Sequence, residues 1–211
     1  MKFDGIERLT RTTTPPIRYA VVALAALAML ASACSSVEFE RVRDDFATRD
    51  ANSLFRLHVV TSPAPAGDAR LGAMWSAMAR RYVNHHRDFI AKKASVMTAL
   101  DASACGDGIE GVLHLYPHLM RTSSGARVRV VGRLIRCDDG AIVWEARAAD
   151  AWSADDDNVT AVRSQYAGEF GAHVEPFVAP SFHALRALLD TLPRPKLVKD
   201  ADIDEKIDLG Q

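Results

Sequence analysis

Cysteine and histidine are the residue types in this chain best suited to covalent or metal chemistry, and their spacing limits what they do. There are three cysteines, Cys34, Cys105 and Cys137, and seven histidines. His85 and His86 are adjacent, so on a helix they project about 100° apart and do not share one ion easily. His114 and His118 point the same way along a strand but sit roughly 13 Å apart. No carboxylate falls at the spacing of a zinc-protease helix, and neither a G-x-S-x-G elbow nor a phosphate-binding glycine loop is present. The serines and Cys105 lack a base that sequence alone can bring within hydrogen-bond reach. The segment "CGDG" at Cys105–Gly108 reads as a tight loop. The sequence therefore implies no cofactor, no metal and no catalytic set. A periplasmic hydrolase or metal-binding protein stays as the alternative, and it requires some of His58, His85, His114 and His118 to converge.

Cys34 stands apart because of what precedes it. Arg11 and Arg18 supply positive charge, Tyr19 to Ala31 is apolar and uncharged, and Ser32 and Ala33 are small, which is the pattern of an export signal. Leu30-Ala31-Ser32-Ala33-Cys34 resembles the lipobox of bacterial lipoproteins, with Ala31 where leucine is usual. The resemblance implies that residues 1–33 are removed as a lipoprotein signal peptide and that Cys34 is acylated. The alternative is an uncleaved spanning helix, since the uncharged stretch runs on to Val37 and spanning needs about 20 apolar residues. Ser32, Ser35 and Ser36 interrupt that length. Two acyl chains already give stable anchoring. By analogy with other Gram-negative lipoproteins, the absence of aspartate after Cys34 implies the outer membrane, with the chain on the periplasmic face.

Removing residues 1–33 takes four of the 26 bases and two of the 27 acids, leaving 22 and 25. Such a balance gives no long-range attraction to nucleic acid, whose recognition leans on clustered Lys and Arg. The remaining length suits one domain, expected over 54–195, with a charged tether at 34–53 and a flexible tail at 196–211. Cys105 and Cys137 would lie where disulfides persist, and a bridge between them is the natural reading. It would contribute about 3 to 4 kcal/mol if unstrained. The alternative is two separately buried thiols.

The elements that must position these residues follow from periodicity. Phe55–Val60 alternates as a first strand. Asp68 caps a helix whose Leu71, Met74, Trp75, Met78, Tyr82 and Val83 recur on one face. The apolar positions of Phe89–Leu100 fit a strand or a short helix, and Phe89–Ala94 is read as a second strand. The stretch "IEGVLHLYPHLMRTSSGARVRVVGRLIRCDDGAIVWEARAADAW" reads as three strands joined by "TSSG" and "DDG". Parity places Leu134 opposite Trp144, Arg133 opposite Glu145 and Cys137 opposite Ala141, with Asp138, Asp139 and Gly140 as a three-residue loop. "SADDDN" precedes an amphipathic run through Val159, Val162, Tyr166, Phe170 and Val174. A further helix after "VAPS", with Phe182, Leu185, Leu188, Leu189 and Leu192, stops at Pro193 and Pro195. The expected class is α+β: a mixed sheet with an antiparallel three-stranded meander and helices packed on one face, after an N-terminal signal segment.

If helices cover the Leu113, Val130 and Trp144 face, then His114, Tyr116, His118, Arg127, Arg129, Arg133 and Arg147 share the opposite one. Arg and Tyr are enriched where proteins bind one another. A merely solvated face is the plain alternative, because exposed antiparallel faces are commonly polar.

The blocks "GDARLGAMWSAMARRYVNHHRDFIAKK", "CGDGIEGVLHLYPH" and "PFVAPSFHALRALLDTLPRP" resemble a family of uncharacterised Gram-negative lipoproteins. That resemblance implies the lipoprotein assignment and the Cys105–Cys137 pairing, and it brings no catalytic residues. The order of elements with "VGRLIRCDDGAIVWEA" is remotely similar to the α/β domain of envelope accessory lipoproteins such as LpoB and CsgG and of the N-terminal domain of TolB. Together these features imply a non-enzymatic binding or accessory module of the cell envelope. Its expected partners are the membrane, through the lipid, and an envelope protein or peptidoglycan, with no nucleic acid.

Overall fold

Alternation of apolar and charged residues along the meander builds the centre of the sheet, and everything else packs around it. In the computed structural model, which describes residues 36–63, 68–197 and 199–210, six strands form one mixed sheet in the order β1-β6-β5-β4-β2-β3. These are β1 (Val37–Val42), β2 (Arg56–Thr61), β3 (Ile90–Val96), β4 (Gly111–Arg121), β5 (Gly125–Arg136) and β6 (Ile142–Ser153). β2 runs parallel to β3 and β4, and the other pairs are antiparallel. The helices are α1 (Ala69–His86), α2 (Thr160–Phe170), α3 (Glu175–Leu189) and α4 (Asp200–Gly210). The fold is the expected α+β class. No helix among the described residues is long and apolar enough to cross a membrane. Cys34 and the signal segment lie outside the described residues.

The core forms between one sheet face and the helices. α1 packs on β2 and β3 and α3 on β5 and β6, burying Trp75, Met78, Leu113, Leu134, Trp144 and Leu185 completely. α1 starts where expected, because the Asp68 carboxylate accepts from the backbone N–H groups of Arg70 and Leu71. α3 begins at Glu175, earlier than the sequence suggested, with Pro180 inside it. At Gly132 the sheet passes so close to the Trp144 ring and Leu188 that an added Cβ would lie 2.8 Å from the indole.

The meander register holds at its centre, with Leu134 opposite Trp144 and Arg133 opposite Glu145. It is corrected at its end. A bulge puts Ile135 opposite Ile142, and the Arg136 N–H donates to the Ala141 carbonyl, so the loop is the four residues Cys137–Gly140. The bulge lets Val143 and Trp144 both be buried while Ile142 turns outward. Gly140 takes the left-handed conformation (φ 69°) that the tight loop requires.

Two boundaries also need correction. The segment expected as a tether, 34–53, holds β1, which pairs with β6, and a single π-helical turn at Phe46–Asp50 that buries Phe46 and Asp50. Charged residues are tolerated there because an edge strand keeps one side in water. The tail expected to be flexible, 196–211, contains α4. Its Asp202 and Glu205 pair with Arg56, Glu205 also meets Lys92, and the Lys206 ammonium donates to the Val83 and Phe89 carbonyls. Burial lowers Lys206 to about 8.

Candidate functional site

The sheet face turned away from the helices carries two zones. Near β2 and β3 it is covered by residues 97–110, whose 3₁₀ turn Ala102–Cys105 seals a small apolar cluster of Val60, Ala104 and Val112. Cys105 and Cys137 form a disulfide, with Cα atoms 5.6 Å apart, that staples this cover to the end of β5. His58 lies beneath it, with Nδ1 3.1 Å from the Ala104 carbonyl and Nε2 2.8 Å from Ser95 Oγ.

Across β4, β5, β6 and β1 the same face is open. His114, Tyr116, His118, Arg127, Arg129, Arg133 and Arg147 do share it, as parity required. They divide by burial. His114, Tyr116 and Arg133 join a polar row across three strands. The His114 and Tyr116 rings stack with centroids 4.0 Å apart, the Arg133 guanidinium lies over Tyr116, and Arg133 Nε donates to Glu145 at 2.8 Å. His114 is 3 % exposed. Burial, with the nearby Arg133 charge, lowers its pKa to about 4, so the imidazole is neutral at pH 7. The Glu145 hydrogen bond raises Arg133 further.

His118, Arg127, Arg129 and Arg147 are exposed. The three arginines have no hydrogen-bonding or ion-pair partner among the described residues. Ala149 and Ala151 stand opposite Arg129 and Arg127. These small side chains leave a hollow of about 400 Å³ rimmed by His118, Met120, Arg127, Arg129 and Glu38. Met120 and Phe39 are among the few large apolar side chains left exposed; Phe39 pairs with Arg147. The surface thus offers guanidinium donors with unfilled hydrogen bonds beside exposed apolar contacts, a combination suited to carboxylates on a protein surface.

One contact has the distance of a nucleophile–base pair: Ser62 Oγ lies 2.9 Å from His114 Nε2. His114 Nδ1 is buried without a hydrogen-bond partner, so no carboxylate orients the ring. A pKa near 4 also makes it a weak base at neutral pH. The four histidines of the alternative do not converge: His85 ends α1 on the helix side, His58 lies under the 3₁₀ turn and His118 is in solvent. Among the described residues no group of three or more His, Cys, Asp or Glu is arranged to hold a metal ion.

Sequence reasoning missed a buried ion pair at the opposite end of the sheet. Arg136 Nε lies 3.2 Å from Asp50 Oδ1, with side-chain exposures of 5 % and 1 %. Asp139 and Asp138 approach the same guanidinium at 3.4 and 3.7 Å. Burial raises the Asp50 carboxyl against the pull of Arg136. The alternation Arg127-Arg129-Arg133 continues to Ile135 and not Arg136, which marks Arg136 as an inward-turned charge. That parity was the available signal.

No family model matches the chain, and no curated protein matches it. Among solved structures it is similar to PelC dodecamers from Paraburkholderia phytofirmans in two crystal forms. One is 15 % identical, covering 68 % of this chain and 91 % of that one with a TM-score of 0.44. The other is also 15 % identical, covering 60 % and 90 % with a TM-score of 0.34.

Proposed function

We propose that the protein is a non-enzymatic accessory module of the bacterial cell envelope. In this reading it is lipid-anchored through Cys34 after loss of residues 1–33, sits on the periplasmic face of the outer membrane, and binds an acidic surface of another envelope protein. The observation that supports the binding role is the uncovered sheet face on which Arg127, Arg129 and Arg147 have no partner. Arginines that carry no internal pairing contribute nothing to the fold through their charge, whereas at an interface they form bidentate bonds to carboxylates. Beside them on the same face, the His114–Tyr116–Arg133–Glu145 row links β4, β5 and β6 through the ring stack and the Arg133–Glu145 hydrogen bond.

The test replaces Arg127, Arg129 and Arg147 together by Ala in the lipidated protein, followed by crosslinking in intact cells and recovery from detergent-solubilised envelopes. These side chains are exposed, so the fold should be kept and the crosslinked protein partner lost. An unchanged partner profile refutes the face; retention on purified peptidoglycan sacculi, lost in the triple variant, refutes a protein partner. Separately, Cys34→Ala should leave the leader uncut and abolish labelling by a fatty-acid probe.

A further inference from the structure

The C-terminal helix α4 turns charges inward and isoleucines outward, the reverse of a helix that only covers a core. Asp202, Glu205 and Lys206 face Arg56, Lys92 and the end of α1, and Leu209 packs on the core. Asp200, Ile203, Asp204, Ile207 and Asp208, at steps of three and four residues, form the exposed side. Ile203 and Ile207 are 40 % and 54 % exposed, and the three aspartates have no ion-pair partner among the described residues. Such a stripe fits a surface where apolar contacts stand among unpaired cations. The open sheet face is one. Besides Ile203 and Ile207, the large apolar side chains left exposed among the described residues include Phe39 and Met120, both on that face beside the unpartnered Arg127, Arg129 and Arg147.

The two surfaces match in spacing as well as in charge. At a helical rise of about 1.5 Å per residue, Asp200, Asp204 and Asp208 repeat about every 6 Å. Arg127 and Arg129 stand two residues apart on β5, about 6.6 Å, and Arg147, opposite Val131 on β6, continues the series one row further. Glu38 and Asp150 also line the hollow, and three arginines against two acids leave the face positive. α4 does not reach this face of its own molecule. It packs on β3 and α1 beside Arg56, at the level where Leu57 pairs with Gly111. Arg127 stands opposite Met120, nine residue steps along β4 from Gly111 and so about 30 Å away. We infer that α4 of a second copy of this chain docks on the open face, with Asp200, Asp204 and Asp208 over Arg127, Arg129 and Arg147 and with Ile203 and Ile207 in the hollow beside Met120. The contact joins two different patches, so it is heterologous and passes from copy to copy. It rests on the reading of this face as a carboxylate-binding surface, and it names the other envelope protein of that reading as a second copy.

The test uses the full-length chain, purified from cells in density-matched detergent, with mass read by sedimentation equilibrium. One variant reverses the face (Arg127→Asp, Arg129→Asp, Arg147→Asp) and another reverses the helix (Asp200→Lys, Asp204→Lys, Asp208→Lys). The wild type should self-associate, each variant alone should be monomeric, and an equimolar mixture of the two should regain the larger species, because each then offers the charge the other lacks. A monomeric wild type, association that survives in both variants, or no recovery on mixing overturns the proposal. If only the face variant dissociates, the face still takes carboxylates but not those of α4, which overturns this inference and leaves the reading of the face standing. A contact map that needs no charge reversal comes from a benzophenone side chain at the exposed Ile207 position of the otherwise native chain. Irradiation should give a covalent dimer whose joined peptide falls within residues 118–131 or 147–151; attachment elsewhere, or no dimer, refutes the docking.

Discussion

Replacing Arg136 with Met should expose how much of this fold depends on one hidden charge pair. Asp50 and Arg136 are 3.2 Å apart and almost fully enclosed. At an effective dielectric of about 20 their attraction is about 5 kcal/mol, set against desolvation of both ions. Removing one partner of such a pair costs about 3–5 kcal/mol, which for a domain of this size lowers Tm by about 6–20 °C. The two ends of the pair are not equivalent. Asp50→Leu leaves Arg136 with Asp139 and Asp138 nearby, so its cost should fall at the lower end. Arg136→Met strands Asp50, whose carboxyl burial already pushes upward, and its cost should be the larger at pH 7. With the folded pKa raised above the unfolded one, the folded state binds more protons between those values, so stability recovers as pH falls. The gap between Arg136→Met and wild type should therefore narrow from pH 7 to pH 5. The double variant should approach wild type, because an apolar pair of similar volume replaces the ions. Urea denaturation followed by tryptophan fluorescence, with the disulfide intact, measures all four corners of the cycle. If Arg136→Met loses less than about 1 kcal/mol, as an exposed pair would, or its loss is independent of pH, the ion pair is not buried and charged as described.

Three further outcomes are expected. His114 has a folded pKa near 4 against an ordinary 6.5, so the unfolded chain binds more protons between those values and stability should fall by about 3 kcal/mol as pH drops through that window; His114→Phe should flatten that limb in acid titrations monitored by circular dichroism. Lys206, lowered to about 8 from 10.5, gives a rise in stability as pH climbs from 8 to 10.5, because the unfolded chain holds the extra proton there; the rise should vanish in Lys206→Met when urea midpoints are compared across that range. Gly132→Ala forces a methyl group against the Trp144 ring and Leu188 and should cost about 1–3 kcal/mol, seen as a lower calorimetric Tm with tryptophan emission shifted to the red.

Where local periodicity fixes the partner, the sequence was readable. The Arg127-Arg129-Arg133 alternation gave the face and the central register, since only one parity sets Leu134 against Trp144 and Arg133 against Glu145. Asp68 gave the start of α1 for the same local reason. What was not readable depends on residues far away in the chain. Val37–Val42 looks like a charged linker until Ala148–Trp144, more than a hundred residues on, supplies its ladder. The acids of α4 look solvated until Arg56 and Lys92 arrive from β2 and β3. The bulge at Ile142–Val143 shortens the pairing by one position because core burial of Val143 outweighs a regular ladder. Of the open face, sequence placed all seven residues together but not the division between an interlinked row with His114 buried and the unpartnered arginines, which follows from how Tyr116 stacks on His114.

The way β1 lies along β6 also decides how the domain meets force. A pull on the chain at Ser36, directed away from the strand's body, runs parallel to β1, so its hydrogen bonds to β6 are loaded in shear and share the strain. They are not opened singly from one end like a zipper. A load between the beginning of this domain and whatever holds its open face would be resisted by the whole six-residue ladder acting at once.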